Sequence, residues 1–210
     1  MLSKKKTNSS QPLAFIKNQK LELEELIKNI EKSIKVSLEL KRDLISNFKL
    51  VSFEKGKLIV KEGQYNVNLF YISKGILRCF NLKDGKDITN DFFFENTFVT
   101  DYGSLLNNSP AGQNFEVIEN SDIYRISKEK LFDLVNKYPE LKIWGGKMAE
   151  NLFAQSIIKQ SIFKSNTPKE RYLSILKEKP EIIQKIPLSL VASYLGITQV
   201  HLSRIRKSLS

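Results

Sequence analysis

Seven side chains near the C-terminus could act together on a polyanion. Gln199, Val200, His201, Ser203, Arg204, Arg206 and Lys207 fall within nine consecutive positions. Leu202, Ile205 and Leu209 interrupt them at helical spacing and give one helix an inner side. The outer side then carries an amide, an imidazole, a hydroxyl, two guanidiniums and an ammonium. Amides and guanidiniums hydrogen-bond the edges of bases, and a lysine pairs with a phosphate as a point charge. Such a face suits the major groove of duplex DNA. A helical hairpin with an ordinary basic exterior has the same residue types.

The segment just before this helix positions it. Leu188, Val191, Ala192 and Leu195 form the inner side of a preceding short helix, and the small Ala192 lets a second helix cross closely. Gly196 permits the left-handed backbone of a tight turn. Ile197 plugs the corner and Thr198 is placed to cap the next helix. Leu188 to Leu209 therefore reads as a helix-turn-helix. Its base-contacting and phosphate-contacting candidates are Thr198, Gln199, Val200, His201, Ser203, Arg204 and Lys207.

Charge supports an anionic partner. The chain carries a formal net charge of +11. From Lys159 to Ser210 there are ten Lys and Arg against three acids, 10 − 3 = +7, so the remaining 158 residues hold 11 − 7 = +4. The basic excess is concentrated at the end that bears the helix-turn-helix. Other chemistries are excluded. With one cysteine, Cys79, there is no intrachain disulfide and no cysteine-ligated metal or cluster. One histidine, His201, does not make a histidine metal site or a serine-protease-like triad. No cofactor and no enzyme activity are expected. No apolar run approaches the roughly 20 residues of a membrane span, and Met1 to Ser10 is no secretory signal. A cytoplasmic protein without a membrane partner is expected.

The rest of the chain sets the frame. Residues 1–18 read as a poorly ordered tail. Gln19 to Lys35 and Ser37 to Asn47 read as helices, the first with an apolar stripe of Leu21, Leu23, Leu26, Ile27, Ile30 and Ile34. From Lys49 to Ile126 seven or eight short β-branched and aromatic runs alternate with turn signals such as Lys55-Gly56, Lys74-Gly75 and Asp84-Gly85. That pattern predicts an antiparallel sandwich or barrel, with Phe92, Phe93, Phe94 and Phe98 filling its interior. Asn107 to Asn114 is a loop within it. Ser127 is placed to cap a helix, and a long helix follows Pro139. On that helix Leu141, Trp144, Met148, Asn151, Gln155, Ile158 and Ile162 alternate at spacings of three and four, a coiled-coil seam. Ala149, Leu152, Phe153 and Ile157 lie beside the seam and are expected to face the sheet. A helix apolar on two sides needs two covers, and a second copy of the chain is the simplest second cover. Ser165-Asn-Thr-Pro168 marks a domain boundary, followed by a helix from Pro168 to Lys179 and a linker or hairpin from Pro180 to Lys185.

In this order the chain resembles the Crp/Fnr regulators, in a form common in Bacteroidetes-like genomes. Phe53-Glu-Lys-Gly56, Val60-Lys-Glu-Gly63, Leu69 to Arg78, Pro168-Lys-Glu-Arg171 and Ile186 to Ile197 carry the resemblance, which covers about Lys20 to Leu209. It implies an α+β fold with a double-stranded β-helix (jelly roll) of cyclic-nucleotide-binding type and its N-terminal helices over 19–137. A long dimerisation helix over 138–164 and a winged helix-turn-helix domain over 165–210 complete it. It also implies a homodimer on a palindromic double-stranded DNA operator, working with RNA polymerase. The family's base-reading positions fall on Gln199, Val200 and Arg204, where the catabolite-activator type has Arg and Glu at the first two.

The resemblance weakens at the effector pocket. Cyclic-nucleotide binders of this fold use a Gly-Glu pair for the ribose and an Arg for the phosphate. The corresponding stretch here, Asn96 to Leu106 and then Gln113 to Glu116, has neither, and Phe98 to Glu116 contains no Lys or Arg. Arg78 and Arg125 read as structural or surface residues. Cyclic AMP is therefore not the expected effector, and its identity stays open. Two other readings remain: a small-molecule or cyclic-nucleotide sensor whose basic helices serve another partner, and a cupin-type enzyme, which would need histidines the barrel lacks.

Overall fold

The computed structural model describes residues 23–209. The expected tail and the start of the first expected helix lie outside the described residues. A helix over residues 23–31 (α1) ends before Lys35, and α2 (Leu38–Asn47) follows with Ser37 as its cap. Eight strands come next: β1 (Lys49–Phe53), β2 (Leu58–Val60), β3 (Asn68–Lys74), β4 (Leu77–Lys83), β5 (Lys86–Phe93), β6 (Thr97–Val99), β7 (Asn114–Val117) and β8 (Ser121–Ser127). A short helix, α3 (Tyr102–Asn107), separates β6 from β7.

The strands form two antiparallel four-stranded sheets, ordered β1-β8-β3-β6 and β2-β7-β4-β5. This is the expected sandwich. Non-consecutive neighbours such as β3 and β8 mean that the chain crosses between the two sheets. β6 escapes a sequence reading because three residues show no period, and only its pairing with Phe70–Ile72 of β3 makes it a strand. In the second sheet Cys79 pairs with Asp91 and Phe80 with Thr89, so Asn90 is the extra residue of a bulge.

Three apolar clusters result. The interior between the sheets holds Val60, Phe70, Ile72, Leu77, Phe115, Val117 and Ile123. Outside the first sheet, α1, α2, α4 (Lys128–Lys137) and the start of α5 (Glu140–Ser165) pack on Leu69, Tyr71 and Tyr124. The third cluster joins Ile76, Phe92 and Ile118 to the C-terminal helices. The expectation that four phenylalanines fill the interior is corrected by these partitions. Phe93 does so, stacked on Phe115. Phe98 instead meets Trp144 edge-on with ring centroids 5.0 Å apart, and Phe92 and Phe94 face the C-terminal cluster.

The expected seam of α5 divides along its length: its first part turns inward, whereas Asn151, Gln155 and Ile158 are exposed. Leu141 and Trp144 are buried against the chain's own core, and Met148 packs beside them. Phe153, 68% exposed, and Ile157, 50% exposed, lie with Ile143 on the side of α5 opposite Leu141 and Trp144. Spacing alone cannot assign the two stripes; the aromatic surface of Phe98 selects Trp144 and with it the inner one.

After Asn166 all regular structure among the described residues is helical: α6 (Pro168–Glu178), α7 (Pro180–Lys185), α8 (Leu188–Leu195) and α9 (Gln199–Lys207). The expected linker or hairpin at Pro180–Lys185 is thus a helix, with Pro180 at its first turn. No strand occurs among the described residues of this segment, so the expected wing has no hairpin there. Thr167 and Glu170 form a full capping box at the start of α6. Gly196 ends α8 at φ 69°, the left-handed conformation expected of it.

α8 is docked on the sandwich. Strand β5 ends its sheet, so its outward N–H and C=O groups need partners. The Ser193 hydroxyl supplies both: it accepts from Thr89 N at 2.9 Å and donates to Asp87 O at 3.0 Å. Tyr194 lies against Phe92, ring centroids 5.5 Å apart. Lys159 of α5 pairs with Asp91 at 3.1 Å, donates to Asn90 O, and sits 4.6 Å from the centre of the Tyr194 ring. Replacing Ser193 by Ala leaves the Thr89 amide without its partner, a loss of about 1–3 kcal/mol. In Ser193→Ala, hydrogen exchange of that amide should accelerate by tenfold or more while the amides of β3 and β8 keep their protection; unchanged exchange at Thr89 would refute the dock.

Candidate functional site

The C-terminal pair of helices presents the candidate face. Val191, Ala192 and Leu195 of α8 are buried against Leu202 and Ile205 of α9. Thr198 caps α9, its hydroxyl accepting from His201 N at 3.2 Å. Arg171 ties the turn to α6, its guanidinium donating to Leu195 O and Asn166 O, both at 2.9 Å. In the Pro168-to-Arg171 stretch, the arginine therefore belongs to the scaffold of this site and not to its surface.

Projected at about 100° per residue, Leu202 and Ile205 fall on one side of α9. Val200, Ser203, Arg204 and Lys207 form a ridge on the opposite side, with Gln199 and His201 on the flanks. All seven predicted residues, Thr198, Gln199, Val200, His201, Ser203, Arg204 and Lys207, are exposed, and α9 brings them together. Leu209 departs from its expected inner position: it lies just past α9 and is 41% exposed. Arg204, Arg206 and Lys207 also occupy the last turn of α9, where cations complement the negative end of the helix dipole.

The second site to test is the stretch around α3. The Asp101 carboxylate is buried and binds two main-chain N–H groups, Ser104 N at 2.9 Å through Oδ1 and Gly112 N at 3.0 Å through Oδ2. It thereby clamps α3 to the loop before β7. The main-chain N–H of Gly112 therefore already has an internal anion as its partner. Around it Asn66, Thr100 and Ser104 are buried and hydrogen-bonded to one another and to Asn68 O. Sequence reasoning missed the clamp, although Asp101-x-x-Ser104 is a helix-capping pattern that marks half of it.

From this loop a polar chain runs toward the dock. Asn81 Nδ2 donates to Gly112 O at 2.6 Å, and Asn90 Nδ2 donates to Asn81 Oδ1 at 2.6 Å and Gln113 Oε1 at 3.1 Å. Asn90 is the bulge residue whose carbonyl accepts from Lys159. Arg78 is structural, as expected: its buried guanidinium holds Asp87 and Glu116, each at 2.6 Å, beneath Phe80. Arg125 is exposed. Burial pushes the Cys79 thiol up to about 12, so it is not a thiolate at neutral pH. Among the described residues no group of His, Cys, Asp and Glu is placed to hold a metal ion, and no helix is long and apolar enough to cross a membrane.

Comparison with known proteins gives this arrangement its relatives. Residues 50–138 match the family model described as "Cyclic nucleotide-binding domain". No curated protein matches the chain by sequence. Among solved structures it is similar to the c-di-GMP responsive global regulator CLP of Xanthomonas campestris. That match has a TM-score of 0.65 and 15% identity and covers 80% of this chain and 89% of that one. FixK2 of Bradyrhizobium japonicum gives a TM-score of 0.63 at 17% identity, covering 77% of this chain and 84% of its own. The catabolite activator protein of Thermus thermophilus gives 0.52 at 16% identity, over 89% and 82%. At these identities the likeness is one of fold. Residues 50–138 thus match the model of a cyclic nucleotide-binding domain, and the fold of the chain is like that of these three regulators.

Proposed function

We propose that this chain is a sequence-specific, DNA-binding transcription regulator of Crp/Fnr type, homodimeric and not an enzyme, in the Bacteroidetes-like form of that family. Its operator is palindromic, its second partner is RNA polymerase, and its place of work is the cytoplasm. The observation that carries the reading is the exposed ridge of α9, polar and basic, held on a helix pair with a left-handed glycine turn. The charge distribution and the resemblance of folds support it. The domain plan is a cyclic-nucleotide-binding-type domain over 19–137, a dimerisation helix over 138–164 and a helix-turn-helix domain over 165–210.

The groove contacts divide by chemistry. Arg204 suits a guanine through two parallel hydrogen bonds, and Lys207 suits a phosphate. Arg204→Ala should weaken specific binding by about 1–3 kcal/mol and relax preference at one base pair of each half-site. Lys207→Ala should weaken binding to all sequences and flatten its salt dependence. Gel shifts against specific and random duplexes at several salt concentrations separate the two; equal losses on both duplexes would remove Arg204 as a base reader. A chain that shifts no duplex at any salt would favour the sensor reading.

Dimerisation runs through the outer face of α5. Ile143, Phe153 and Ile157 are exposed along it. Gly146 lies on the same face, where an added Cβ would meet nothing within 4 Å. Glycine inside a helix costs about 0.5–1 kcal/mol relative to alanine; here it lets a second helix approach closely. Phe153→Glu with Ile157→Glu should give monomers by light scattering, whereas Met148→Glu should mainly destabilise the fold. An unchanged dimer mass in the double variant would refute the face. Two half-sites read by such a dimer lie about 34–36 Å apart, one helical turn.

The effector pocket is degenerate and does not take cyclic AMP. A buried phosphate needs a cation and several donors. The clamp region offers Asp101 instead, with Gly112 N already engaged. Calorimetry with cyclic AMP and cyclic GMP should show no saturable binding; micromolar binding of either would overturn this part of the reading and leave the DNA part standing.

A further inference from the structure

Val200 is an apolar side chain on the crest of an otherwise polar ridge. It is 63% exposed, and Leu202 and Ile205 already form the inner side of α9. The fold therefore gives Val200 no packing role. Its neighbours on the ridge are Ser203, Arg204 and Lys207. It is the second residue of α9 after the Thr198 cap, in the first turn, the part of a recognition helix that meets base edges. In a helix its β-branch holds a single favoured rotamer, so it presents a stiff apolar knob.

Only one group on the floor of the major groove is apolar, the 5-methyl of thymine. Every other base edge offers donors and acceptors that valine would desolvate without replacing. We infer that Val200 reads a thymine through this methyl group. Arg204 lies four residues further along the same ridge, about 6 Å, or about two base-pair steps of 3.4 Å. The half-site thus holds a thymine within about two base pairs of the guanine taken by Arg204. This assignment rests on the DNA-binding reading and specifies its target.

The test begins with a duplex selected from a random pool by the full chain. Each thymine of a half-site is then replaced in turn by deoxyuridine, which removes the methyl and keeps the pairing. At one position the wild-type chain should bind about fourfold more weakly, the factor carried by one buried methyl-sized group. Val200→Ser should bind the thymine duplex more weakly by a similar factor and not distinguish thymine from deoxyuridine there. Wild-type indifference at every thymine would overturn the assignment, and so would full methyl sensitivity in Val200→Ser. If the selection yields no specific duplex, the DNA-binding reading itself has failed, an outcome visible before any methyl is removed.

Discussion

The open edge of β5 is the constraint on which the arrangement of this chain turns. A sheet that ends in an exposed strand leaves main-chain groups that another chain can pair with. Here one hydroxyl of α8 takes up the N–H of Thr89 and the C=O of Asp87 on that edge, with Tyr194 and Lys159 beside it. Because α8 is fixed to the sandwich, α9 is fixed too, through the close crossing at Ala192 and the turn at Gly196. The side of α9 that buries Leu202 and Ile205 is committed to α8, so the polar ridge has only solvent or a partner to meet.

The same edge connects the two halves of the molecule. The bulge that displaces Asn90 lets its side chain reach Asn81 and Gln113 while its carbonyl receives Lys159. The loop before β7, the long helix and the dock therefore share one polar network. Its far end is the Asp101 clamp, where two main-chain donors are neutralised by a carboxylate of the chain itself. Electrostatically the ends are opposite: an internal anion at the pocket stretch and a cationic surface on α9. The stretch from Phe98 to Glu116 contributes acids and no Lys or Arg of its own, and its Glu116 is held by Arg78.

Much of this was legible in the residues. Short β-branched and aromatic runs separated by glycine turns indicate the sandwich, because both the strand preference and the turn are local properties of the residues. Ser127 and Thr198 mark helix starts correctly, because a cap is a local hydrogen bond between a side chain and a nearby amide. The candidate ridge was legible for the same reason: helix periodicity places Val200, Ser203, Arg204 and Lys207 opposite Leu202 and Ile205 without knowledge of anything distant.

Other features were decided by contacts across long stretches of chain. Periodicity shows that α5 has two apolar stripes; only the surface of Phe98 decides that Trp144 turns inward and Phe153 outward. Four phenylalanines in seven positions look alike in sequence, yet three leave the sandwich interior for surfaces built by other elements. Strand β6 exists only as a partner of β3. Ser193 meets Thr89 across 104 residues, and Asp101 meets Gly112 across a loop. Local order follows from bonds a residue makes with near neighbours, which sequence spacing encodes. Which face is buried, which edge is closed and which amide is already occupied depend on groups that sequence order keeps far apart and only the fold brings into contact.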